Sequence, residues 1–113
     1  MLVGEDEVLI RRGIAEELEA AGFTAFEAAN ADAAILIFEA HPEIGLLFTD
    51  IDMPGSMDGM KLAAVARRRW PSVKIIVTSG YVRFLDAGLL VFGKPYDNLA
   101  VVAALRKMGL STL

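Results

Sequence analysis

Short apolar segments alternate with amphipathic segments along the whole chain, and this alternation restricts the fold more than any other feature. Periodicity and turn residues predict strands at about 1–4, 23–28, 45–49, 73–77 and 89–92. They predict helices at about 8–21, 31–40, 58–70 and 99–108. Strands that alternate with helices at this spacing form a parallel sheet covered on both faces. We therefore predict one α/β domain that occupies residues 1–113.

The third predicted strand carries the most informative local pattern. Leucines and a phenylalanine lead into Thr49 and then Asp50, a second carboxylate follows at Asp52, and Pro54 ends the run. This pattern is typical of a short buried strand that stops with an acid at its tip. In open parallel sheets, ligands bind at the carboxyl ends of the strands, so Asp50 is a candidate functional residue.

Groups of complementary chemistry follow four of the predicted strands, and a parallel sheet brings them to one edge. These groups are Glu5 and Asp6, Asp50 and Asp52, Thr78 and Ser79, and Lys94. Neighbouring carboxylates repel one another, and a hard cation such as Mg²⁺ relieves that repulsion. A hydroxyl and an ammonium group suit the oxygens of a phosphoryl group. Together, the residues indicate an aspartyl-phosphate site.

These residues carry a resemblance to a known family. Glu5-Asp6-Glu7, the segment 49–54 with Met57-Asp58-Gly59, Thr78-Ser79-Gly80 and Lys94-Pro95 resemble the receiver domain of two-component response regulators. The resemblance implies a flavodoxin-like, doubly wound sheet of five parallel strands in the order 2-1-3-4-5. It also implies transfer of a phosphoryl group to the domain from a phosphohistidine on a histidine kinase or a histidine phosphotransfer protein.

The resemblance assigns metal ligands and an acceptor. It implies that Asp50 accepts the phosphoryl group and also contacts Mg²⁺. Asp6 would bind the ion directly, Glu5 would reach it through water, and the main-chain carbonyl of Asp52 would complete the protein ligands. The domain would then be a signalling phosphoacceptor rather than an enzyme, although it would catalyse its own phosphoryl transfer and slow autodephosphorylation.

The resemblance also assigns the groups that contact the phosphoryl oxygens. Thr78 would hydrogen-bond the phosphoryl group and Lys94 would pair with one of its oxygens. The sequence departs from the family pattern in the loop between Pro54 and Asp58, which is one residue longer than usual, and at two further points. The segment 79–93 is short, so we expect a shortened or missing fourth helix between the fourth and fifth strands. Val91 replaces the usual aromatic residue three positions before the lysine, which puts the usual threonine–aromatic switch in doubt.

Two other functions remain open at this point. A pseudo-receiver would have the same fold and act as an interaction module that is never phosphorylated. A haloacid-dehalogenase-type phosphatase would use the Asp-x-Asp of Asp50 and Asp52. In that family, however, the motif ends the first strand, and the residue two beyond the second aspartate is usually Thr or Val rather than Pro54.

Composition excludes several classes of partner. The net charge is −4, and the one basic cluster, 67–69, falls at the end of a predicted helix, so we expect no nucleic-acid binding. The longest apolar run, 99–105, is too short to cross a bilayer. The chain has no cysteine, which is compatible with the cytoplasmic location that we expect. The sequence leaves a homodimer open.

Overall fold

The computed structural model describes residues 1–51, 53, 55, 57–79, 90–93 and 98–107. The strands are β1 (Leu2–Gly4), β2 (Phe26–Ala28), β3 (Leu46–Asp50), β4 (Lys74–Ser79) and β5 (Leu90–Gly93). The helices are α1 (Val8–Ala20), α2 (Ala31–Ala40), α3 (Gly59–Arg69) and α4 (Asn98–Lys107). Among the described residues, no helix has the length and apolar character needed to cross a membrane.

All five strands pair in parallel in the order β2-β1-β3-β4-β5, as predicted. Each parallel step requires a crossover, and a helix of the predicted type lies between most consecutive strands. From β1 the chain forms β2 on one side of β1 and then crosses to β3 on the other side, from which β4 and β5 follow outward. The direction of strand addition therefore reverses between β1 and β3. This is the switch point at which doubly wound sheets bind ligands.

Side chains of the central strand are buried on both faces of the sheet. Leu46 and Phe48 pack in one apolar cluster with residues of α1 and α4, including Leu18 and Leu105. Leu47 packs in a second cluster with residues of α2 and α3. A strand whose alternate side chains enter two cores needs consecutive apolar residues, which explains the run Leu46-Leu47-Phe48 at the start of β3.

The second strand is shorter than predicted because residues at its start end α1 instead. Gly22 has a positive φ of 95°, and its N–H donates to the carbonyl of Glu19 at 2.9 Å. The N–H of Phe23 donates to the carbonyl of Leu18 at 3.0 Å. This is a Schellman motif, in which glycine accepts the left-handed backbone and the next apolar residue packs back on the helix. Strand β2 then begins only at Phe26.

The other boundaries are close to prediction, with two shifts that affect the edge of the sheet. Asp50 is the last residue of β3 rather than the residue after it, and β4 extends to Ser79. Asp58 caps α3 from outside, with its side chain accepting from the N–H of Lys61 at 2.9 Å. The short or missing helix predicted between β4 and β5 falls within 80–89, outside the described residues.

Candidate functional site

Three carboxylates meet at the carboxyl ends of β1 and β3. One oxygen each of Glu5, Asp6 and Asp50 lies within 4.8 Å of the others. Gly4 at the end of β1 is the register partner of Thr49, so Glu5 and Asp50 follow side by side on neighbouring strands. Glu5 and Asp50 are buried, whereas Asp6 is exposed to solvent. The predicted acid cluster is therefore present, and it opens to solvent on the side of Asp6.

The backbone around Glu5 is held at several points. Its N–H donates to the carbonyl of Ala28 on β2 at 3.0 Å. Its side-chain Oε1 accepts from the N–H of Glu7 at 3.2 Å, and its carbonyl accepts from Nη1 of Arg11 at 3.0 Å. These contacts fix the turn between β1 and α1, in which two of the three carboxylates lie.

Thr78 lies beside the acceptor candidate on the neighbouring strand. Asp50 and Thr78 are register partners, and the N–H of Ile51 donates to the carbonyl of Thr78 at 2.9 Å. Thr78 is fully buried, and its Oγ1 has no hydrogen-bond partner within the described residues. A buried hydroxyl without a partner is costly, so the Thr78 hydroxyl next to Asp50 is a candidate donor to a group bound at this edge of the sheet.

Replacing Thr78 by valine is expected to stabilise the ligand-free fold while impairing the site. Valine has nearly the same shape and has no buried hydroxyl to leave unsatisfied, so the free energy of unfolding should rise by about 1 kcal/mol. Urea unfolding without metal or phosphodonor measures this change. Thr49→Val is the matched control, because Thr49 is equally buried but its Oγ1 donates to the carbonyl of Asp50 at 3.0 Å. A gain in both variants, or in neither, would contradict this interpretation.

The main chain of Asp50 is tightly enclosed. A Cβ added to Gly59 would lie 1.8 Å from the carbonyl oxygen of Asp50, and the N–H of Gly59 donates to the carbonyl of Ile51 at 2.8 Å. The first turn of α3 therefore sits directly against the end of β3. Sequence reasoning identified Gly59 only as part of a motif and did not identify this contact or the one from Arg11 to Glu5.

Two predicted site residues, Asp52 and Lys94, lie outside the described residues, and the position of the predicted switch partner is on β5. Val91 lies on β5 as the register partner of Val77, and the next residue, Phe92, is the partner of Thr78. The described part of the site thus consists of the three carboxylates and the Thr78 hydroxyl.

The arrangement suits a hard cation with oxygen ligands. Three carboxylates in this space repel one another, and a divalent ion offsets that repulsion. An exposed carboxylate beside two buried ones leaves room for water or a ligand oxygen on the solvent side, which Mg²⁺ favours. Described residues therefore fit a site for a divalent metal ion at the end of β1 and β3.

Comparison with known proteins defines the class. A family model of the response regulator receiver domain matches residues 1–91. The solved receiver domain of the hybrid histidine kinase CckA superposes with a TM-score of 0.83 at 32% identity, covering 94% of both chains. The chain belongs to the response regulator receiver family of two-component systems, with the flavodoxin-like fold that the strand order indicated.

Two curated relatives show the kinds of protein in which similar domains occur. The sensor kinase CckA of Brucella abortus is 37% identical over 82 residues, which cover 72% of this chain and 9% of that protein. A putative NtrX-like response regulator of Rickettsia felis is 30% identical over 115 residues, covering 95% of this chain and 24% of that protein. The chain thus spans less than a quarter of the length of either relative.

Proposed function

We propose that this receiver domain accepts a phosphoryl group on the carboxylate of Asp50, in a reaction that depends on Mg²⁺ held by Glu5, Asp6 and Asp50. The observation that carries the proposal is the cluster of three carboxylate oxygens within 4.8 Å at the switch point of the sheet. Only Asp50 of the three ends the central strand. It also lies next to the buried hydroxyl of Thr78.

The phosphoryl donor in this proposal is a phosphohistidine of a histidine kinase or a histidine phosphotransfer protein. An oxygen of Asp50 attacks phosphorus and forms a P–O bond while the P–N bond breaks, and the electron pair of that bond stays on the imidazole nitrogen. Water later attacks the phosphorus, the P–O bond to Asp50 breaks, and inorganic phosphate leaves while Asp50 returns to a free carboxylate. Bound Mg²⁺ supplies positive charge that offsets the charge of the acids and of the phosphoryl oxygens.

Other residues of the chain serve the phosphoryl group in this scheme. The Thr78 hydroxyl, which has no partner among the described residues, donates to a phosphoryl oxygen. Lys94 pairs with another phosphoryl oxygen, and the main-chain carbonyl of Asp52 completes the protein ligands of the metal. The fixed turn at Glu5 keeps the metal-binding carboxylates in place before the donor arrives, so little reorganisation accompanies the reaction.

We assign residues 1–113 to a single receiver unit of a cytoplasmic phosphorelay. The relatives include a sensor kinase and response regulators, so the domain is related to receivers on both sides of such a pathway. In that setting phosphorylation shifts an equilibrium between two states of the receiver, and a downstream partner reads the shift.

Labelling with a small phosphodonor tests the proposal. Wild-type protein incubated with acetyl phosphate and Mg²⁺ should acquire about one phosphoryl group that is stable to mild acid and labile to base, as an acyl phosphate is. Chelation of the metal with EDTA should reduce the label by more than about tenfold, because the acids then face the phosphoryl donor without the positive charge of the metal ion. Intact-protein mass spectrometry measures both values.

Other outcomes favour the two alternative functions. No label from acetyl phosphate or from a cognate kinase would indicate a pseudo-receiver. Rapid repeated hydrolysis of many organic phosphates, with no lasting label, would indicate a phosphatase. Label of equal amount with and without Mg²⁺ would contradict the proposed metal site while leaving the acceptor untouched.

A further inference from the structure

Arg11 connects the proposed metal site to the edge of the sheet. From the end of the first turn of α1, its Nη1 donates to the carbonyl of Glu5 at 3.0 Å. Its Nε donates to Oε1 of Glu27 on the edge strand β2 at 3.2 Å. The side chain of Arg11 is only 16% exposed, so the guanidinium is held in a fixed orientation between these two acceptors.

We propose that Arg11 is a positioning residue for the metal site and that Glu27 holds it in place. The inference rests on the proposed function, since it concerns how Glu5 and Asp6 are presented to Mg²⁺. The carbonyl that Arg11 binds belongs to the peptide group between these two residues. Rotation of that peptide would turn both carboxylates, and the hydrogen bond from Arg11 opposes the rotation. Partners that orient metal ligands in this way often matter almost as much as the ligands.

The two effects of removing Arg11 have opposite signs, which makes the inference testable. Loss of its positive charge makes the surroundings of the acids more negative and should strengthen cation binding slightly. Loss of its hydrogen bond to Glu5 should weaken cation binding, because the metal must then order the turn itself. The direction of the change in Mg²⁺ affinity therefore shows which role dominates.

Arg12 offers a matched control on the same helix. It also pairs with Glu27, through Nη1 and Oε2, and with Glu16 at 3.4 Å. Its side chain is 47% exposed, and neither of these contacts involves Glu5. Arg12→Met thus removes the same charge and a contact to the same glutamate, but leaves the Arg11–Glu5 hydrogen bond in place. Methionine also keeps much of the apolar stem of arginine.

The experiment compares Mg²⁺ affinity of the wild type, Arg11→Met and Arg12→Met by isothermal titration calorimetry. We expect Arg11→Met to bind about tenfold more weakly and Arg12→Met to stay within about twofold of the wild type. In the metal-free proteins, the amide signals of Asp6 and Glu7 in ¹H–¹⁵N spectra should shift in Arg11→Met and remain in place in Arg12→Met.

Mg²⁺ binding by Arg11→Met that equals or exceeds that of the wild type would overturn the positioning role. The proposed function would still be supported, because it depends on Mg²⁺ binding by the wild type. Failure of the wild type to bind Mg²⁺ would overturn both. If Arg11→Met does not fold, Arg11→Lys is the substitute variant. Lysine keeps the positive charge, but it lacks the planar guanidinium that donates to both the Glu5 carbonyl and the Glu27 carboxylate. Arg11→Lys should bind several-fold more weakly, and an unchanged affinity for this variant would overturn the inference.

Discussion

Asp50→Asn is expected to abolish the base-labile label that the wild type acquires from acetyl phosphate. An asparagine amide has nearly the same shape as the carboxylate, but its nitrogen and oxygen are poor nucleophiles toward phosphorus. The position is buried at the end of β3, so other carboxylates cannot take its place there without moving the turn at Glu5. Loss of label should exceed about a hundredfold, as for removal of other covalent nucleophiles.

The same substitution is expected to stabilise the metal-free protein. In the wild type, three carboxylate oxygens lie within 4.8 Å of one another, and neutralising one of them removes two repulsive pairs. The free energy of unfolding in EDTA should rise by on the order of 1 kcal/mol. In millimolar Mg²⁺ the gain should shrink or reverse, since the variant has lost a metal ligand. Urea unfolding of the wild type and the variant, in EDTA and in Mg²⁺, measures the change in the free energy of unfolding under each condition.

Asp58→Asn is a matched control for this prediction. Asp58 caps α3 through the N–H of Lys61, and asparagine is an equally good cap. The amount of label and the free energy of unfolding of Asp58→Asn should therefore be close to those of the wild type. Label that persists in Asp50→Asn would place the phosphoryl group elsewhere, for example on His41, where it would be labile to acid rather than to base.

The sequence predicted the parallel α/β sheet and the acid cluster because both depend on local patterns. Apolar segments of the right length, separated by helical periodicity, predicted the parallel sheet, whereas the resemblance to receiver domains implied its strand order. The acids at Glu5, Asp6 and Asp50 come together because the ends of neighbouring parallel strands meet. Thr78 was expected at the same edge for the same reason, and the register confirms that it lies beside Asp50.

The sequence did not predict contacts that depend on how elements approach one another. Nothing in the local pattern shows that Phe23 packs back on α1 rather than starting β2. Similarly, the arginines at 11 and 12 are equivalent in the sequence, and only the packing of α1 against β2 makes one of them a partner of Glu5. The close contact of Gly59 with Asp50 is of the same kind, and it has the largest expected effect on stability.

Gly59→Ala is expected to destabilise the domain by about 3 kcal/mol, because the added methyl group would overlap main-chain atoms that can move only if a whole helix or strand end moves. The new Cβ would lie 1.8 Å from the carbonyl oxygen of Asp50, 2.7 Å from its carbonyl carbon and 2.9 Å from Cα of Ile51. All three atoms belong to the backbone of the central strand or the residue after it, so either α3 or the end of β3 must move. Because Gly59 is the first residue of α3, the higher helix propensity of alanine offsets little of this cost.

Gly45→Ala separates this steric effect from a general effect of replacing glycine. A Cβ on Gly45 would meet no atom within 4 Å, so that variant should be neutral or up to about 1 kcal/mol more stable, through a stiffer unfolded chain. The urea midpoint of Gly59→Ala should fall by about 1–2 M while that of Gly45→Ala holds or rises. Because any shift at Asp50 also moves the acceptor, Gly59→Ala should be labelled more slowly even under conditions in which it is fully folded. Equal midpoints for the two variants would mean that α3 can withdraw from β3 at little cost, and an unchanged labelling rate would mean that it does so without moving Asp50.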